Sequence, residues 1–124
     1  MANAVARIPF SGSTQGQAVL VAATSTPGTT IHTTGVSATV QDEIRMWAYN
    51  AHTADVLLTI EFGGATAPNQ NIVLTIPFKS GLVQITPEAG MFLTGNGSVA
   101  LTVKAFAGTT NVITLSGGVY RLTP

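Results

Sequence analysis

Apolar residues in this chain recur at every second position. In 55–62, Val56, Leu58, Ile60 and Phe62 alternate with Asp55, Leu57, Thr59 and Glu61. In 42–50, Ile44, Met46 and Ala48 alternate with Arg45, Trp47 and Tyr49. Ile72, Leu74 and Ile76 share a face in 71–78, where Pro77 ends the run or sets it at a sheet edge. In 98–107, Val99, Leu101, Val103 and Ala105 oppose Ala100, Thr102, Lys104 and Phe106. A period of two is the signature of a pleated strand. The abundant Thr and Val, branched at Cβ, favour the same geometry.

Further strands are expected at about 17–24, within 30–34, and at 81–86, 112–117 and 118–123. Turn residues separate them: Pro27-Gly28, the Gly-, Pro- and Asn-rich stretch 63–70, 87–90 and 108–111. Asn96-Gly97 between apolar runs predicts a type I′ hairpin, because both residues accept positive φ. Residues 35–41 read as an edge segment or a loop. About eight short strands with turns between them predict an all-β chain, a single antiparallel β-sandwich wired as a jelly roll. The sandwich is expected over 17–124, preceded by an extended N-terminal arm at 1–16 that ends in the linker-like SGSTQGQ.

Composition narrows the possible partners. The 124 residues fit one domain, with five basic and five acidic side chains and zero formal net charge. The basic residues Arg7, Arg45, Lys79, Lys104 and Arg121 are scattered, so neither nucleic acid nor a membrane surface is an expected partner. The longest apolar run, 18–23, is too short to span a bilayer, and the opening MANAVARIPF lacks the pattern of a secretory signal. With no cysteine there is no disulfide and no thiolate chemistry.

The catalytic inventory is thin. His32 and His52 read as ordinary polar residues of a strand and a turn. The adjacent Asp42 and Glu43 would point to opposite faces of a strand, which does not suit a carboxylate pair. A Ser-His-Asp triad assembles only in space and stays open here, although no G-x-S-x-G elbow is present. No metal or cofactor motif appears, and the expectation is of no catalysis. Trp47 and Tyr49, two apart on one strand face, suit a glycan-stacking ledge as well as ordinary packing.

A two-layer sandwich buries one face of each sheet. Here the outward positions are Thr, Ala, Leu and Val, and only 8% of the chain is charged, so the outer surface is expected to meet copies of itself or a larger scaffold. The arm fits the same picture, with Arg7, Ile8, Pro9 and Phe10 as its partner-binding anchor. Removing residues 1–10 is then expected to weaken attachment and leave the fold intact.

The stretches VLVAATSTPGTTIHTT, DEIRMWAYNAHTADVLLTIEFGG, IVLTIPFKSGLVQITPEAG and VKAFAGTTNVITLSGGVYRL together resemble small structural proteins of tailed bacteriophages, of the head decoration (cement) kind. The resemblance implies a homotrimeric subunit on the outer surface of the capsid, made in the host cytoplasm and bridging neighbouring major capsid proteins. It implies neither catalysis nor a cofactor. A tail, spike or head-fibre component and a glycan-binding sandwich are the alternatives.

Overall fold

The computed structural model describes residues 4–64 and 71–124. The rest of the loop at 63–70 and the first residues of the arm lie outside the described residues. Among those described, the chain is all-β, with ten strands and no helix. They are β1 (Ala4–Ile8), β2 (Val19–Val21), β3 (Thr29–Thr33), β4 (Gln41–Asn50), β5 (Val56–Phe62), β6 (Ile72–Ile76), β7 (Val83–Gln84), β8 (Met91–Leu93), β9 (Thr102–Ala107) and β10 (Ile113–Thr123).

They form two antiparallel sheets. In the first, β10 and β4 run side by side from Ile113↔Asn50 to Leu122↔Gln41. The free edge of β10 is shared by β1 and β2, and that of β4 by β8 and β7. The second sheet has the order β3-β9-β5-β6. Short strands that share a row explain why ten strands fill only four rows in each sheet. Ile44, Met46, Ile113, Leu115 and Val119 from one sheet and Ile31, Leu58, Ile60, Val103 and Ala105 from the other make one buried core, the expected sandwich. The alternation assigned to β4 and β5 holds: Ile44, Met46 and Ala48 point inward, as do Val56, Leu58 and Ile60.

Local signals failed at four places, each for a tertiary reason. Asn96-Gly97 does not close a hairpin, because β8 pairs with β4 in the first sheet while β9 lies in the second. Gly97 alone of the pair has positive φ (95°). The Asn96 side chain caps its own turn, accepting from Ser98 N (2.9 Å) and Val99 N (2.7 Å). That turn docks on the segment 35–37, which is therefore a loop: Gly95 N donates to Ser37 O (3.1 Å) and Gly97 N to Val36 O (2.8 Å). A Cβ at Gly95 would lie 2.3 Å from Val36 O.

The two C-terminal strands are a single strand, β10, running straight through Gly117-Gly118. Gly117 (φ 142°) does not end it but lets the Arg45 carbonyl oxygen pass 2.0 Å from where a Cβ would stand.

The arm is not free. β1 pairs with β10 from Ala4↔Thr123 to Ile8↔Val119. Phe10, only 2% exposed, belongs to the core. The supposed linker is tied down as well: Gly12 N donates to Ile31 O (2.9 Å), and Ser13 Oγ donates to Gln17 O (2.6 Å). A Phe ring gains more by closing the core beside Gly117 than by waiting in water for a partner. A cut after residue 10 would therefore remove core, contrary to the expectation of an intact fold.

Candidate functional site

The β4–β10 pair carries the polar chemistry of the molecule. On its inward face Asp42 is buried at a meeting of three segments. Arg121 Nε donates to Asp42 Oδ1 (2.7 Å) and Arg121 Nη2 to Oδ2 (2.8 Å). His32 Nε2 donates to Oδ2 (2.7 Å) across the sandwich. Ser11 N–H donates to His32 Nδ1 (3.1 Å), which leaves that nitrogen the acceptor and fixes the tautomer. Burial pushes the Asp42 carboxyl up, but hydrogen bonds from Arg121 and His32, together with the Arg121 charge, outweigh it and hold the group below its ordinary value near 3.8. The bond to Asp42 likewise raises the Arg121 guanidinium.

Ser11, His32 and Asp42 thus come together, but not as a nucleophilic triad. Serine meets the imidazole through its backbone N–H, and its hydroxyl accepts from Thr33 N (2.7 Å) instead. The imidazole and the carboxylate are each only 1% exposed. A triad needs the hydroxyl on one ring nitrogen and a substrate beside it. This cluster is a clamp that ties the N-terminal segment, β3, β4 and β10 together.

The outward face of the same strands is open. Arg7, Tyr120, Glu43 and Phe92 form one cross-strand row over β1, β10, β4 and β8. Val5, Leu122 and Gln41 form the next row, and Arg45 stands beside Gly118 on the other side. β1 covers the edge of β10 from Val119 onward and β2 covers it up to Leu115, so residues 116–118 have no strand beside them there. This gap and the bare glycines at 117 and 118 form the floor of a groove of about 700 Å³, walled by Arg7, Ile8 and Pro9 on one side and Arg45, Trp47 and Tyr120 on the other. That volume is of the size that holds small ligands or side chains.

The groove's electrostatics are one-signed. Arg7 and Arg45 are its charged walls. The Arg45 guanidinium lies over the Tyr120 ring (4.9 Å), and its contact with Glu43, at 3.5 Å, is longer than a good hydrogen bond. Its Nε is enclosed without an acceptor. Arg7 is exposed and takes part in none of the ion pairs among the described residues, which are His32–Asp42, Arg45–Glu43 and Arg121–Asp42. A second hollow of about 200 Å³, lined by Val5, Phe92, Leu122, Gln41 and Glu43, shares Tyr120 with the first.

Of the anchor residues, Arg7, Ile8 and Pro9 therefore wall the groove, whereas Phe10 lies in the core and offers nothing to a partner. Trp47 and Tyr49 do share the outward face, but only Trp47 reaches the groove. No motif in the sequence marks Arg45, Tyr120 or the two glycines as site residues. Arg45 has the same strand parity as Trp47 and was legible in principle, while Tyr120 and the glycines enter only because β10 lies beside β4. On the second sheet, the outward Glu61 is covered by the turn at 26–28, accepting from Thr26 Oγ1 (2.6 Å) and Gly28 N (2.7 Å). No family model matches the chain, and neither a search of curated proteins nor one of solved structures returns a match.

Proposed function

We propose that this chain is a non-enzymatic structural subunit of a tailed-bacteriophage particle: a head decoration (cement) protein on the outer surface of the capsid, bridging neighbouring major capsid proteins as a homotrimer. The observation that carries this reading is apolar exposure on both outward faces. Leu57 and Val73 stand more than half exposed on the second sheet, and Val5 and Phe92 on the first. A monomer that presents such side chains on two opposite faces is suited to surfaces that cover them. Zero net charge removes the long-range repulsion that would keep copies apart. The row orders β1/β2-β10-β4-β7/β8 and β3-β9-β5-β6 support the jelly-roll wiring that such subunits would have. The mechanism is mechanical: many weak bridges act together and stabilise the assembled shell by mass action.

The test is the copy number of the chain in purified particles, measured by quantitative mass spectrometry against the major shell protein. Near-equal numbers are expected. A small fraction would move the protein to a tail, spike or head fibre, and absence would overturn the virion reading. Glycan binding is the second reading, favoured by Trp47 in the groove wall; Trp47→Ala would then abolish glycan retention.

A further inference from the structure

We infer that the groove and the hollow beside it together bind an extended peptide segment in which an acidic residue is followed, two positions away, by an apolar one. The choice of a protein occupant rests on the assembly reading above. The chemistry of the segment rests on the site itself.

The acidic half follows from charge. Arg7 and Arg45 face the larger groove with no carboxylate among its lining residues. The Arg45 terminal nitrogens have donor capacity to spare, since the contact of Nη2 with Glu43 is 3.5 Å long. A guanidinium fork matches a carboxylate in a planar, two-point geometry. The edge of β10 at 116–118 has no strand beside it in the gap between β1 and β2, so a second backbone can approach it there.

The apolar half follows from the smaller hollow. Val5, Phe92 and Leu122 form its apolar wall, and Phe92 is 65% exposed when nothing fills it. Glu43 lines this hollow and not the groove, so an acidic side chain is repelled from one end and attracted to the other. Tyr120 is common to both hollows, and the row of Arg7 and Tyr120 lies one step of β10, about 7 Å, from the row of Val5 and Leu122, the distance between side chains i and i+2 of an extended peptide. An acidic sugar would satisfy the arginines but has no side chain for the apolar hollow, which is why a peptide is favoured over a glycan.

The test uses the full chain and the capped peptide Ser-Gly-Glu-Thr-Leu-Gly-Ser, read by the fluorescence of the protein's one tryptophan, Trp47, in the groove wall. A saturable change in the millimolar range or tighter is expected. Exchanging the peptide's Glu for Gln should weaken binding about tenfold, the worth of a charge-assisted hydrogen bond. Arg45→Gln and Arg7→Gln should each reproduce that loss, and exchanging the peptide's Leu for Ser should weaken binding as well. No saturable change, or equal binding of the Glu and Gln peptides, overturns the proposal without depending on how any protein variant folds. Equal binding by a galacturonate oligomer overturns the peptide assignment in favour of an acidic glycan. The titration needs only the isolated chain, so a particle copy number that refutes decoration leaves its result standing.

Discussion

Two arginines on one pair of strands behave in opposite ways. Arg121, on β10, is held by Asp42 through two short bonds, and the same carboxylate takes a third from His32. Arg45, on β4, rests over Tyr120 with a long contact to Glu43 and an unsatisfied Nε. The first arrangement directs its hydrogen bonds to a buried carboxylate inside the molecule, so removing a member should cost stability. The second holds capacity in reserve, so removing it should cost little until a ligand is present. The partner that each guanidinium meets, a buried carboxylate or a distant surface one, thus distinguishes a fold-holding cluster from a candidate binding surface only one sheet thickness away.

The largest effect should follow Asp42→Ala, which strips His32 and Arg121 of their shared acceptor. A loss of about 3 kcal/mol in urea unfolding is expected, the scale of breaking a buried pair. A change below about 1 kcal/mol, the scale of an exposed ion pair, would show that the clamp is not fold-holding. Phe10→Ala should come close behind, at about 3 kcal/mol, because it empties a core site beside Gly117. Removal of residues up to 8 should be milder, since β1 is an exposed edge strand. Proteolytic sensitivity of the two truncations, after 8 and after 10, would separate anchor from core.

Acid comes next. The Asp42 carboxyl has a lowered value in the folded chain, so its contribution to stability is fully present above its ordinary value near 3.8 and is lost as pH falls below that, through the folded value. Midpoints of urea unfolding measured from pH 6 downward should drop in that window, and Asp42→Asn should flatten the drop. Arg45→Gln should have the smallest effect on stability, within about 0.5 kcal/mol, as for a surface substitution. A loss as large as that of Asp42→Ala would dissolve the contrast between the two arginines.

Much of the architecture was legible because strands have a short, exact period. Parity alone put Ile44, Met46 and Ala48 inward and Arg45, Trp47 and Tyr49 outward, as found. The outward exposure of Leu57, at 52%, likewise follows from its place between Val56 and Leu58. Turn chemistry was less dependable. Asn96-Gly97 carries the residues of a hairpin turn, yet the turn serves to pass the chain from one sheet to the other. Phe10 looked like part of a free arm because no local signal distinguishes a residue awaiting a partner from one that closes its own core.

The candidate site was legible only in fragments, one strand at a time. The alternation of the chain by itself determined the all-β class, the inward and outward faces and the mild outer surface, because those depend on neighbours along the sequence. Only the tertiary structure decided that Ala4 pairs with Thr123, that Gly117 leaves a gap between β1 and β2, and that Arg7, Arg45, Trp47 and Tyr120 enclose one groove. Those facts depend on which strands lie side by side, and in an antiparallel sheet that choice is made by packing between distant segments.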